Sequence, residues 1–562
     1  MLNSMIDLSW TLNTAWMLAC RREWRAFQSA LYDPAAAQTA VLQRILQANA
    51  DSRFGRRHGF HGIHDASTFQ DRVPAADYDT YREHIDRIAA GEPNVLTAER
   101  VRLLEPTSGS TSARKLIPYT DSLRHEFQRM IAVWVYNLLS RRPALRRGRA
   151  YWSISPALGP RDYTAGGIPI GFDDDASYLG GVQQWLVRRL LVVPAEAARV
   201  ADIGRFQYAT LLSLLRAEDL TLISIWSPTF LLSLLERIDE WRDRLCDDLM
   251  SGADLGFATY GWSSTRQQPL SRSAHGRARQ IMSLLRSGRL SPALNQQLWP
   301  RLGLISCWAD ASSAMYVEAL RELFPKVEFQ PKGLLSTEGC VSVPLLDRWG
   351  APLALRSHFL EFEHASRFHL AHQLQVGRQY EVVLTTGGGL YRYRTKDIVE
   401  VVGLEKHCPL IVFRGRATVT SDLVGEKLNE PHVRSVVERV LAEAVIHAHF
   451  VMLVPVAEAP ARYRLYLQPG PDESLDPETI ARVVAKLELG LRENPHYRYA
   501  VDLRQLAPCE IRLLDWCHGS AWRVFERQCL VAGQRLGQIK PVVLGDTSLL
   551  TRFRIADGRV RA

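Results

Sequence analysis

Apolar residues recur at helical spacing through residues 40–48, 122–139, 206–215, 229–238 and 314–323. Between these stretches lie short runs rich in β-branched and aromatic side chains, at 101–104, 150–154, 222–226, 303–307 and 380–385, bounded by turn residues. Helices and strands in this alternation predict an α/β (α+β) architecture, with mixed sheets flanked by helices. Past Gly415 the rhythm tightens. A helix is expected over 431–444, strands at 448–456 and 463–469, a helix over 477–491, a strand at 510–514 and a last helix over 521–536. That set is large enough to form its own core. The expected organisation is a large N-terminal domain, 1–415, and a smaller, mobile α+β C-terminal domain, 416–562, because 562 residues exceed what one core usually serves.

Composition changes this picture little. With 46% hydrophobic and 23% charged residues, the chain is that of an ordinary folded protein. Its net charge of +9 is spread along the sequence, and the densest basic cluster, Arg141, Arg142, Arg146, Arg147 and Arg149, is short. It reads as a solvated face, so no nucleic-acid partner is expected, although the charge could help steer an anionic substrate. The eight cysteines include no CxxC pair, which argues against a zinc site or a disulfide framework and for a reducing, cytoplasmic setting. Asp7 and Asn13 interrupt the partly apolar N-terminal stretch, no basic residues precede it, and no run reaches transmembrane length, so neither a signal peptide nor a membrane span is expected. His364, His369 and His372 lack a metal-binding spacing and read as structural or surface histidines.

Three short motifs carry candidate chemistry. TSGSTSARK, Thr107 to Lys115, packs five hydroxyl side chains and a glycine into one loop after a strand-like run. Such a loop suits an anion: glycine permits the bend, amides and hydroxyls donate, and Lys115 adds a positive charge. In LLSTEG, Thr337 precedes Glu338, a hydroxyl and a carboxylate able to hold phosphate and Mg2+ together. In GLYRYRTKD, Asp397 ends an aromatic and basic run, and one aspartate can accept from both hydroxyls of a ribose.

In this order, and followed by FRGRATVTSDLVGEK, the motifs resemble the phosphate loop, TE motif, YRTGD motif and hinge of the adenylate-forming superfamily. The stretch from Val376 to Gly403 looks most like the Gretchen Hagen family of acyl-acid amido synthetases, known from plant hormone conjugation and also present in bacteria. The resemblance implies ATP and Mg2+ as cofactors. It places ATP on Ser108, Gly109, Ser110, Thr111 and Lys115 of the loop, and on Thr337, Asp397 and Arg416. Glu338 matches the magnesium position. Lys427 in GEKLNE and Lys540 in GQIKP are both candidates for the lysine that meets the α-phosphate. Some positions depart from the superfamily pattern. Ser112 and Lys396 stand where glycine is usual, which raises the question of a positive φ carried by a side chain. Arg114 replaces a proline, Leu334 an aromatic beside adenine, and Thr418 and Asp422 differ from the usual hinge.

By this resemblance the chain is a ligase: it activates a carboxylic acid as acyl-AMP, releases pyrophosphate and passes the acyl group to an amine, that of an amino acid. The smaller domain would pivot near 415–422 between the two steps. The alternatives are an acyl-CoA ligase of the same superfamily and an inert nucleotide-binding relative. Trp226, Trp262 and Trp308 could line an acyl pocket or simply fill the core.

Overall fold

The computed structural model describes residues 2–107, 115–153, 162–171, 189–194, 197, 200, 202–254, 266–267, 272–288, 290–417, 420–458, 460–471, 473–516 and 519–545. Helix boundaries follow local capping chemistry. Asp33 accepts from the Ala36 N–H at 2.9 Å, with Pro34 in the first turn, and starts Pro34–Asn49. Thr120 accepts from the Leu123 N–H at 3.1 Å at the head of Asp121–Arg141, an arrangement worth about 1 kcal/mol. Its hydroxyl also donates to the Gly387 carbonyl at 2.9 Å, which ties this helix to the sheet behind it.

Among the described residues the first two-thirds of the chain builds two principal sheets. Arg149–Trp152, Leu220–Ser224, Leu304–Cys307 and Glu328–Pro331 lie side by side, all parallel. Helices Ile203–Arg216, Pro228–Glu240 and Ala314–Leu323 pack on this sheet and bury a leucine-rich core. The second sheet is antiparallel, in the order Arg367–Leu370, Phe359–His364, Gln379–Thr385, Tyr393–Glu405, Cys408–Arg416 and Ala351–Pro352. Leu428 to Leu544 then surround a separate core. Its sheet pairs Ala448–Val456 antiparallel to Arg462–Pro469, which runs parallel to Glu510–Leu513. The α/β reading with a smaller C-terminal domain therefore holds.

One expected element is shorter than its pattern. The last helix is Ala521–Val531 and does not reach residue 536. Gly533 takes φ +85°, which turns the chain out of the helix. Leu536 continued the apolar periodicity because it is buried elsewhere, among the residues that cover the parallel sheet. The seven cysteines among the described residues are free and buried, and Cys517 lies outside them. Burial pushes the Cys307 and Cys408 thiols up to about 12. The arginine cluster is partly engaged in ion pairs: Arg142 with Glu328 at 2.6 Å and Arg149 with Asp219 at 2.8 Å. Among the described residues, no helix is long and apolar enough to cross a membrane, and no group of three or more potential ligands could hold a metal.

Candidate active site

The site grows from one strand, Tyr393–Glu405, whose residues alternate between buried and half-buried from Tyr393 to Asp397. Period-two alternation puts Tyr393, Thr395 and Asp397 on the inner face. The Asp397 N–H donates to Thr395 Oγ1 at 3.1 Å, and that hydroxyl donates to the Val382 carbonyl on the neighbouring strand at 3.1 Å. Asp397 faces Arg416 across the antiparallel ladder, and Arg416 Nε donates to its carboxylate at 2.8 Å. The aspartate holds the Arg416 pKa above its ordinary value, against desolvation. Lys396, between Thr395 and Asp397, takes φ +65° and pairs with Glu381 at 3.4 Å. The glycine-like conformation is therefore kept, with a lysine in it.

Glu338 lies on the tip of a hairpin closed by the bridge between Leu335 and Cys340 and by the Ser336 N–H donating to the Gly339 carbonyl at 3.0 Å. Gly339 is required by crowding: a Cβ there would stand 2.9 Å from the ring of buried His358. Thr337 is half-buried at the tip, and Glu338 is buried. The charges of Glu338, Asp397 and Arg416 all act on the Tyr393 hydroxyl, whose pKa is raised chiefly by burial. Leu334 is packed in the core, so that position offers little surface to a base.

Lys540 joins this group and Lys427 does not. Burial depresses the Lys540 pKa, Arg416 adds repulsion, and Asp397, Glu338 and Glu430 oppose it. Solvent reaches the side chain even though protein atoms surround it. That access to water limits how far the pKa falls. Its ammonium lies 5.2 Å from the centre of the Trp308 ring. Lys427 is exposed, with φ +46°.

Ser108, Gly109, Ser110, Thr111, Ser112 and Arg114 lie outside the described residues, as do Thr418 and Trp262. The rims of the phosphate-loop motif are described. The Thr107 N–H donates to the Lys115 carbonyl at 2.9 Å, and the strands Leu103–Pro106 and Leu116–Tyr119 pair beneath it. Lys115 turns over the Tyr78 ring at 5.4 Å. Trp226 and Trp308 lie 5.9 Å apart at the carboxyl edge of the parallel sheet, where open sheets usually bind ligands.

Sequence reasoning missed Tyr393 and Glu430. Buried Glu430 accepts from Ser312 Oγ at 2.8 Å and from the Val543 N–H at 3.4 Å, joining both domains near Lys540. Its only sequence signal is a place in the first turn of Glu430–Glu443, where an acid is ordinary.

The arrangement is that of an acyl-acid amido synthetase fold. The Arabidopsis GH3.15 acyl acid amido synthetase in complex with 2,4-DB superposes with a TM-score of 0.83 over 97% of this chain and 96% of the other, at 21% identity. The GH3 family N-terminal domain matches residues 23–329, more than half of the sequence, and the GH3 family central domain matches 351–416, so the chain belongs to the GH3 family. Among its relatives, the indole-3-acetic acid-amido synthetase GH3.3 of Arabidopsis thaliana is 25% identical over 517 residues, 85% of this chain and 84% of that protein. The jasmonoyl–L-amino acid synthetase GH3.5 of Oryza sativa subsp. japonica is 23% identical over 538 residues, 88% of this chain and 90% of that protein.

Proposed function

We propose that the chain is an ATP-dependent ligase that activates a carboxylic acid as its acyl-adenylate, releases pyrophosphate and transfers the acyl group to an amine, that of an amino acid. Family membership supports the reaction class. The observation that carries the site assignment is the mutual proximity of Asp397, Arg416, Glu338 and Lys540, drawn from two domains, with Lys540 open to solvent.

In this reading Asp397 accepts from the ribose hydroxyls while Arg416 holds its carboxylate in place. Lys540 donates to the α-phosphate and stabilises the negative charge that builds there when the substrate carboxylate attacks. Ser108, Gly109, Ser110, Thr111, Lys115 and Thr337 cradle the outgoing phosphates. Glu338 suits a cation: it is a buried carboxylate whose charge already acts on the cationic side chains of Arg416 and Lys540. It would hold Mg2+, which takes most of its ligands from phosphate and water and would neutralise charge on the departing pyrophosphate. The adenylate then carries AMP as leaving group, so an amine can form the amide without a protein nucleophile. Lys427 lies outside the first-step cluster and is not assigned to it. The boundary near 415–416 separates a body that binds nucleotide and acid from a smaller domain that supplies the lysine and moves between steps. A cytoplasmic enzyme with small-molecule partners and no nucleic-acid partner fits this chemistry.

The test is acid-dependent exchange of labelled pyrophosphate into ATP with pooled carboxylic acids, with Glu338→Ala as control. Exchange lost in that variant, followed by amide formation with an amino acid, is the expected result. Exchange with thioester formation on CoA would mean an acyl-CoA ligase. ATP binding without any exchange would mean an inert nucleotide-binding relative.

A further inference from the structure

The segment that presents Lys540 is held at both ends, each time by a different domain. Past Gly533 it runs along the large domain, where three contacts hold it. Arg535 Nη1 donates to Glu105 at 3.2 Å, and that carboxylate is only 5% exposed. Glu105 belongs to Leu103–Pro106, the strand that leads into the phosphate-loop motif. Gly171 makes room for the guanidinium, since a Cβ there would stand 2.8 Å from Arg535 Nη2. It is tied to the same strand, its N–H donating to the Leu104 carbonyl at 2.9 Å. Leu536, next in sequence, is fully buried in the core that covers the parallel sheet. The Gly537 carbonyl then accepts from the Ser227 N–H at 3.4 Å. Beyond Lys540 the attachment passes to the smaller domain. The Val543 carbonyl accepts from the Leu453 N–H at 2.7 Å, and the Gly545 N–H donates to the Leu453 carbonyl at 2.9 Å.

We infer that Arg535 is a positioning residue for adenylation: with Leu536 as a plug, its ion pair with Glu105 docks the lysine segment on the base of the phosphate loop. The inference rests on the amido-synthetase reading above and adds to it the contact that fixes where Lys540 stands. Separating an ion pair made by a buried carboxylate is costly, so the pair favours the docked arrangement over any in which the smaller domain has swung away. A lysine misplaced by about 1 Å is enough to slow chemistry that depends on positioned charge. Arginine suits the role because its rigid fork can lie flat against Gly171 while it donates to Glu105.

The experiment uses the full chain as wild type, Arg535→Ala, Arg535→Lys and Glu105→Gln, each checked for an unchanged circular dichroism spectrum. Two rates are read: acid-dependent pyrophosphate exchange, and amide formation from a presynthesised acyl-adenylate in which the first step is bypassed. Amide hydrogen exchange over 534–545 is recorded on the same samples. Arg535→Ala should lower the exchange kcat by roughly tenfold or more, with a smaller change in the ATP KM, while aminolysis stays within about twofold. Arg535→Lys should recover part of the loss, and protection of 534–545 should fall in the alanine variant. Equal losses in both rates, or unchanged exchange with unchanged protection, would overturn the latch. If the wild type showed no pyrophosphate exchange but protection still fell in Arg535→Ala, the latch would stand and the functional reading would fail.

Discussion

Lys396 occupies a left-handed conformation that costs a side chain about 1 kcal/mol and glycine nothing. Its return is the ion pair with Glu381, which is partly exposed and contributes only a fraction of that. Lys396→Gly should therefore leave stability unchanged or raise it by up to about 1 kcal/mol, with the gain trimmed by the freer unfolded chain. Lys396→Val, β-branched at the same φ, should lose more than about 1 kcal/mol. Urea denaturation of the two variants decides the point, and a glycine variant markedly less stable than wild type would show that the lysine does more than fill the position. The sequence makes this strain readable, since a residue standing where glycine is usual marks a backbone that needs positive φ. It does not make Glu126 readable. That buried carboxylate accepts from the Gly387 N–H at 3.0 Å and bonds His358 Nδ1 at 2.8 Å, partners 261 and 232 residues away. Glu126→Ala would leave both without a partner and should cost at least about 3 kcal/mol by the same measurement.

Pro228–Glu240 and Ala521–Val531 meet across the domain boundary through titratable groups. Arg523 pairs with Glu236 at 3.2 Å and with Glu240 at 3.0 Å, His449 lies 3.5 Å from Glu236, and Ser233 Oγ donates to Glu526 at 3.3 Å. Burial pushes the Glu526 carboxyl up to about 7 and the His449 imidazole down to about 4. Both shifts favour the neutral form in the contact, with opposite consequences for pH. Glu526 supports the folded contact fully below its free value of 4.5 and loses that support as pH climbs through about 7. His449 supports it above its free value of 6.5 and loses that support as pH falls through about 4. Glu526→Gln should accordingly raise the thermal midpoint at pH 8, by an amount equivalent to about 3 kcal/mol, and leave it nearly unchanged at pH 4. An equal effect at both pH values would mean that the carboxyl is ionised in the contact throughout. Apolar periodicity located both helices, because each buries one face. Their mutual contact was not legible, since it depends on which charged residues two distant segments bring together.

At the scale of the whole molecule, the fold was readable wherever a local rule governed it. The strands 448–456 and 463–469 and the helix 477–491 stand within a residue of their expected bounds, because alternation and capping are local. Which of the two lysines stands near Asp397 and Glu338 was not readable, because Lys427 and Lys540 sit in equally ordinary sequence and only the path of the chain separates their positions. The hairpin that follows Arg416 leaves Lys427 on the surface, while the segment after Ala521–Val531 crosses back to the large domain and delivers Lys540 beside Asp397 and Glu338. If this arrangement is the one that makes the adenylate, the two lysines should separate cleanly. Lys540→Ala should reduce acid-dependent pyrophosphate exchange by roughly a hundredfold, the order found when a donor to developing charge is removed. Lys427→Ala should leave exchange within about threefold, as expected for a side chain that makes no contact with the reacting phosphate. A Lys427→Ala variant that slowed only aminolysis would place that lysine in the second step. Loss of exchange in Lys427→Ala with normal exchange in Lys540→Ala would reverse the assignment, and adenylation would then require an arrangement of the two domains other than this one.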